Sequence, residues 1–164
     1  LSIENWRWQG VPFYLVTGKR LPRRFSQIAV TFRCPPVWVF DPHYPGTCSP
    51  NVMVFTVQPD EGFDLHFEVK APGEPLQLKT QRLRYRYAEG FAPLPDAYDT
   101  LLLDIMAGDQ TLFVRADEAE WAWRLYAPVL DPPPSLVRPY PAGAWGPAEA
   151  AALMEWPDPT LLYR

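Results

Sequence analysis

No apolar run in these 164 residues approaches the roughly 20 that a bilayer-crossing helix needs, so no membrane partner is expected. The first ten residues, Leu1 to Gly10, hold charge and two tryptophans but no apolar stretch of the kind a secretory signal carries. A starting methionine is also missing, as expected of a segment of a longer chain. Excess positive charge is absent too. Fifteen Lys and Arg against 19 Asp and Glu leave a net charge of −4, which does not favour a nucleic-acid partner. Glycine is sparse, at nine residues, and no strand-like segment runs into a G-x-G-x-x-G turn, so no dinucleotide-binding residues are expected in this chain. Cysteine is limited to Cys34 and Cys48. A disulfide between them is geometrically possible, but with no secretory context two reduced thiols are the expectation. With His43 between them they are too few for a tetrahedral zinc site, so no metal is expected.

What is abundant is proline and aromatic surface. The 21 prolines exceed the usual share of about 5% by roughly two- to threefold, clustering at 35–36, 42–50, 93–95, 128–141 and 157–159. Each restricts the unfolded chain where the native φ already suits it, which is one route to thermostability. Hydrophobic residues at 48% and charged residues at 21% describe a globular chain of one domain, residues 1–164. Seven Trp, eight Tyr and nine Phe point to aromatic packing.

The pattern along the chain predicts strands first and helices after. Residues 11–17 read as a buried strand ended by Gly18, and 27–33 alternate, with Ile28, Val30 and Phe32 on one face. Residues 34–50 are a proline-broken connection. Residues 52–57 are apolar enough to be buried on both faces. From 63 to 70, Phe63, Leu65, Phe67 and Val69 face one way and Asp64, His66, Glu68 and Lys70 the other; Pro72-Gly73 then turns the chain. The following strand changes parity between Leu78 and Leu83, which predicts a bulge near Thr80–Gln81. Helices are expected at 96–106, closed by Gly108, at 117–130, with acids near the positive helix end, and from Gly146-Pro147 through Met154. Strands in sequence followed by helices make the fold class α+β, a large mainly antiparallel sheet with helices packed on one side.

The densest positive feature is the turn holding Lys19, Arg20, Arg23 and Arg24. A phosphate suits such a turn, with Lys as a point charge and Arg as a planar fork; on charge alone it reads as a solvated loop. His43 and His66 read as surface imidazoles, and Asp117–Trp121 as a helix start rather than a catalytic pair. Arg82, Arg84 and Arg86 are expected to pair with Asp64, Glu68 or a second subunit. Trp121 and Trp123 cannot share a helix face, so one is expected in the core and the other near an interface.

The flanking residues change the reading of the turn. Asn5-Trp6-Arg7-Trp8-Gln9-Gly10-Val11-Pro12-Phe13-Tyr14-Leu15, running into Thr17-Gly18-Lys19-Arg20-Leu21, resembles the start of the C-terminal half of glucose-6-phosphate dehydrogenases. The resemblance continues through Val57-Gln58-Pro59-Asp60-Glu61-Gly62, Leu94-Pro95-Asp96-Ala97-Tyr98 and Leu101-Leu102-Leu103-Asp104. It closes with Phe113-Val114-Arg115-Ala116-Asp117-Glu118, Ala122-Trp123-Arg124 and Gly143-Ala144-Trp145-Gly146-Pro147.

That resemblance implies an antiparallel sheet with helices, one sheet face serving a homodimer. It implies that Lys19 and Arg24 contact glucose 6-phosphate, with Gln58 of the Gln-Pro motif a weaker candidate for the same pocket. It further implies a cytoplasmic, NADP-linked enzyme of the pentose phosphate pathway, oxidising D-glucose 6-phosphate to 6-phosphoglucono-1,5-lactone. The dinucleotide-binding N-terminal domain, with the catalytic His and its orienting Asp, would precede residue 1. This domain would then partner its own N-terminal domain and be inactive alone. Where some members place cations for a second, structural nucleotide, this chain has Val16, Phe25, Ala29 and Thr56, so no such site is expected. The alternative is a non-catalytic interaction or assembly module that keeps the same fold.

Overall fold

A computed structural model of the chain describes residues 1–37, 48–92, 96–130 and 137–153. Alternating bulky residues form four strands: β1 Ser26–Thr31, β2 Val52–Gln58, β3 Gly62–Lys70 and β4 Leu78–Arg86. They pair as one antiparallel sheet in the order β1-β2-β3-β4, as short connections between consecutive strands favour. The β3–β4 register runs unbroken from Gly62↔Arg86 to Lys70↔Leu78, so the expected bulge near Thr80–Gln81 is absent. Leu76 precedes the strand, and Leu78 sits half-buried at its entry on the face of Thr80 and Arg82. The irregularity falls instead between Ser26 and Gln27. At the β2–β3 turn a Cβ on Gly62 would lie 2.2 Å from the Tyr85 carbonyl oxygen, so only glycine lets β4 approach there.

Burial reverses the polarity expected of the sheet. Ile28, Phe55, Phe63 and Tyr85 are successive partners on one face, and that face is largely exposed, Ile28 by 59%. The opposite face buries Val52, Val54 and the charged Asp64. Strand β2 is therefore covered on one side, not both: Val54 is 5% exposed while its neighbour Phe55 is 40% exposed. An aromatic ladder crosses the exposed face, with ring centroids 6.5 Å apart for Phe55–Phe63, 5.4 Å for Phe63–Tyr85 and 5.3 Å for Tyr85–Tyr87.

Residues 11–17 are not a strand. Their pattern suits one, but a strand needs a neighbour, and no described strand pairs with them. Phe13 instead exchanges hydrogen bonds with Leu1 at 2.9 and 2.8 Å.

The helical half follows its end signals closely. A short α1, Tyr87–Gly90, rests against β4. Helix α2, Ala97–Ala107, starts where the Asp96 carboxylate accepts from the Tyr98 N–H and ends at left-handed Gly108. Helix α3, Ala116–Leu130, opens with Asp117 and Glu118 and carries Pro128 in its last turn. A 3-10 helix, Ala148–Leu153, replaces the α-helix expected after Pro147. Trp121 and Trp123 are both exposed, Trp121 beneath the Arg124 guanidinium at 5.1 Å, so neither is a core residue of this chain. No described helix is long and apolar enough to cross a membrane. The expectations for 38–47, including His43, and for Leu94, Pro95, the Pro132–Pro134 run and Met154 lie outside the described residues.

Cys34 and Cys48 form a disulfide, with Cα atoms 6.2 Å apart, which corrects the expectation of two free thiols. Compartment reasoning cannot see the cause. The Thr31↔Val52 pairing and the Phe32 N–H bond to Asn51 bring both strand ends together, and the cysteines sit just beyond them. Peptide mapping of protein purified without reductant is expected to recover the two cysteines cross-linked. Their reduction is expected to cost about 3 kcal/mol, the entropy of reopening a loop of this length. Recovery of two separately alkylated peptides would contradict the bond.

Candidate functional site

The cationic turn leads directly into β1. Leu21 and Phe25 are half-buried and anchor it, while Lys19, Arg20, Arg23 and Arg24 are exposed. Arg23 folds back, its guanidinium 5.8 Å from the centre of the Phe25 ring. Arg20 takes a left-handed φ of 55°, rare for a residue with a side chain. The carbonyls of Lys19 and Arg20 accept hydrogen bonds from residues 140 and 143, so the backbone of the turn is held at its cationic start.

Of the three residues predicted to bind substrate, strand pairing brings two together. Gln58 ends β2 and pairs with Ser26, two positions after Arg24, so Arg24 and Gln58 share one end of the sheet. Lys19 stands at the start of the same turn. Neither Lys19 nor Arg24 forms an ion pair among the described residues, which leaves both charges available to an anion. Phe25 meets the Trp145 ring edge-on, and Ala29 and Thr56 lie within β1 and β2. The set Val16, Phe25, Ala29 and Thr56 carries no charge with which to hold a second nucleotide.

A second polar corner lies on the covered face of the sheet. Asp64 stands opposite Arg84 in register, but its carboxylate takes the two diagonal neighbours. Arg82 Nε donates to Oδ1 and Arg86 Nη2 to Oδ2, each at 2.6 Å. Burial alone pushes the Asp64 carboxyl up; the bonds and charges of Arg82 and Arg86 outweigh it and hold the group below 3.8. His66 joins Gln27, Thr56 and the ion triad around a cavity of about 30 Å³, so it is a half-buried wall residue rather than a surface imidazole. Arg84 turns instead to Glu89 at 3.6 Å, and Glu68 accepts from the Thr80 hydroxyl rather than from an arginine.

A larger cleft of about 770 Å³ opens between the end of α2 and the start of α3, lined by Asp104, Ile105, Phe113, Val114 and Arg115 among others. None of its lining residues belongs to the cationic turn, and Asp109, Arg115 and Asp117 in its wall are already engaged. Arg115 forms a two-pronged pair with Asp117 at 3.0 and 2.8 Å, and the Glu118 carboxylate accepts the Arg115 N–H, closing the helix start. The Thr111 hydroxyl and N–H hold the Asp109 carboxyl below its usual range. These contacts make structural helix ends, as the sequence suggested for Asp117–Trp121.

Sequence reasoning missed the contact of residues 140 and 143 with the turn. No spacing signal could have found a hydrogen bond between residues 121 positions apart. Among the described residues no group of three or more His, Cys, Asp or Glu gathers as a metal site.

The family model for the glucose-6-phosphate dehydrogenase C-terminal domain matches residues 1–159. The chain is 46% identical over 157 residues to glucose-6-phosphate 1-dehydrogenase of Mycolicibacterium smegmatis, a match covering 93% of the chain and 32% of that protein. Against glucose-6-phosphate 1-dehydrogenase of Rhizobium meliloti the figures are 44% over 159 residues, 94% and 32%. A solved glucose-6-phosphate dehydrogenase in complex with its substrate glucose-6-phosphate superposes with a TM-score of 0.79 at 31% identity. That match covers 92% of this chain and 31% of the solved one. The chain thus spans about a third of the length of the curated relatives it matches.

Proposed function

The chain belongs to the glucose-6-phosphate dehydrogenase C-terminal domain family, and from that premise we propose that it is the substrate-side and subunit-association domain, residues 1–164, of such an enzyme. The whole protein oxidises D-glucose 6-phosphate to 6-phosphoglucono-1,5-lactone. Hydride leaves C1 for NADP⁺ while a base takes the C1 hydroxyl proton. Lys19 and Arg24 bind the sugar phosphate, and Gln58 assists from the neighbouring strand end. The observation that carries this reading is the family match over residues 1–159, which includes the cationic turn.

The described residues offer little that would hold a dinucleotide. The described sheet is antiparallel, no described strand enters a glycine-rich turn and helix, and neutral side chains stand at the positions matched to those that hold a structural nucleotide in some relatives. In this reading NADP, the catalytic base and its orienting carboxylate are assigned to a partnering N-terminal domain of the same protein. The exposed apolar sheet face supports a homodimer, since an uncovered face of that kind needs another surface against it. The pathway is the pentose phosphate pathway and the compartment the cytoplasm.

The intact protein is expected to form NADPH from glucose 6-phosphate and NADP⁺, and the purified 164-residue domain is expected to form none above background. Turnover by the isolated domain would contradict this division of labour. An intact protein that binds partners but shows no turnover would favour a non-catalytic assembly module instead.

A further inference from the structure

One segment, residues 140–145, touches the cationic turn at three points. The Tyr140 hydroxyl donates to the Lys19 carbonyl at 2.8 Å. The Gly143 N–H donates to the Arg20 carbonyl, also at 2.8 Å. Trp145 meets Phe25 with ring centroids 5.6 Å apart. The contacts bracket the turn, since Lys19 and Arg20 open it and Phe25 follows Arg24.

Each contact acts on a part of the chain that needs holding. Arg20 is left-handed at φ 55°, a conformation that persists in a non-glycine residue only where the surroundings impose it. The Gly143 bond to its carbonyl is one such restraint. Beside it, Gly18 has no side chain, and a Cβ there would come within 3.0 Å of the Tyr140 hydroxyl oxygen. A side chain at residue 18 would crowd the phenol and make it shift by a few tenths of an ångström. Tyr140 is itself half-buried, so its ring has a fixed seat.

We propose that Tyr140 is a positioning residue for the substrate-binding turn, fixing the Lys19 backbone so that its ammonium group is already aimed when the sugar phosphate arrives. The inference rests on the reading of Lys19 and Arg24 as substrate-binding residues. Its physical basis is preorganisation: a loop ordered in advance does not lose conformational freedom at the moment of binding. The loss should appear in substrate affinity, because the role proposed for the turn is to hold the phosphate and not to act on the carbon being oxidised.

The test uses the intact enzyme and the Tyr140→Phe variant, which removes one oxygen and keeps the ring. KM for glucose 6-phosphate is expected to rise about three- to tenfold, as loss of one neutral hydrogen bond implies, with kcat and KM for NADP⁺ unchanged. Gly18→Ala is expected to reproduce the rise, because its Cβ crowds the hydroxyl. Combined with Tyr140→Phe it is expected to add little, since both act on one contact. An unchanged KM in Tyr140→Phe, alongside a raised KM in Lys19→Ala, would overturn the inference and leave the substrate site standing. An equal fall in kcat against both substrates would also overturn it, marking a role in folding alone. An unchanged KM in Lys19→Ala and Arg24→Ala would remove the site reading itself and this inference with it.

Discussion

Replacing Lys19 with alanine in the intact enzyme is expected to raise KM for glucose 6-phosphate by about tenfold or more, with kcat within about twofold. A hydrogen bond from a charged donor to a charged acceptor contributes about 1.5–3 kcal/mol, and each 1.4 kcal/mol is a factor of ten. Lys19 can deliver that contribution because it is exposed and forms no ion pair among the described residues. Arg24→Ala is expected to behave alike, and the double variant to exceed either. Lys19→Arg should fall between, since it keeps the charge but exchanges a compact ammonium for a planar fork. The measurement is steady-state kinetics at fixed ionic strength, because added salt screens an exposed cation. Unchanged KM in both alanine variants would sink the assignment.

The second large effect is on stability. Asp64→Asn is expected to cost the protein about 3 kcal/mol, read from denaturant unfolding. The carboxylate is 6% exposed in its side chain and faces Arg86, which is 12% exposed, and Arg82, which is 42% exposed. Removing it strands the Arg86 guanidinium, whose remaining partners are the Phe63 and Tyr85 carbonyls at 3.2 and 2.9 Å. The Arg82 arm contributes less, because water already reaches it. The effect carries a pH signature. The folded Asp64 pKa lies below 3.8, so its stabilisation is complete well above that value and lost as pH falls through the lower folded one. Wild-type protein should therefore lose this contribution in acid, and the Asn variant should lack that part of the acid limb. Parallel acid limbs in the two proteins would show that Asp64 is not held by its arginines.

These two expectations draw unequally on the sequence. The cationic turn and the end of β2 were legible because each is a short local run; the substrate role proposed for Lys19, Arg24 and Gln58 came instead from the family resemblance of the residues around them. The triad was half legible. Alternation placed Asp64 opposite an arginine stripe, but pairing across strands decides which arginines reach it, and they proved to be the diagonal ones. The strand expected over 11–17 failed for a related reason. Its residues have the propensity, while the neighbour that would satisfy its backbone is not among the described strands.

Periodicity and motif order were sufficient to place the four strands that form, the ends of α2 and α3 and the cationic turn, because each depends on residues close together along the chain. Which face of the sheet is covered, the Cys34–Cys48 bond and the grip of Tyr140 on Lys19 came from the folded chain. A pattern of two alternating faces says that the faces differ, and the surface lying against each settles which is buried. Asp64 is enclosed with the Arg82 and Arg86 side chains of β4, while Ile28 and Phe55 face outward.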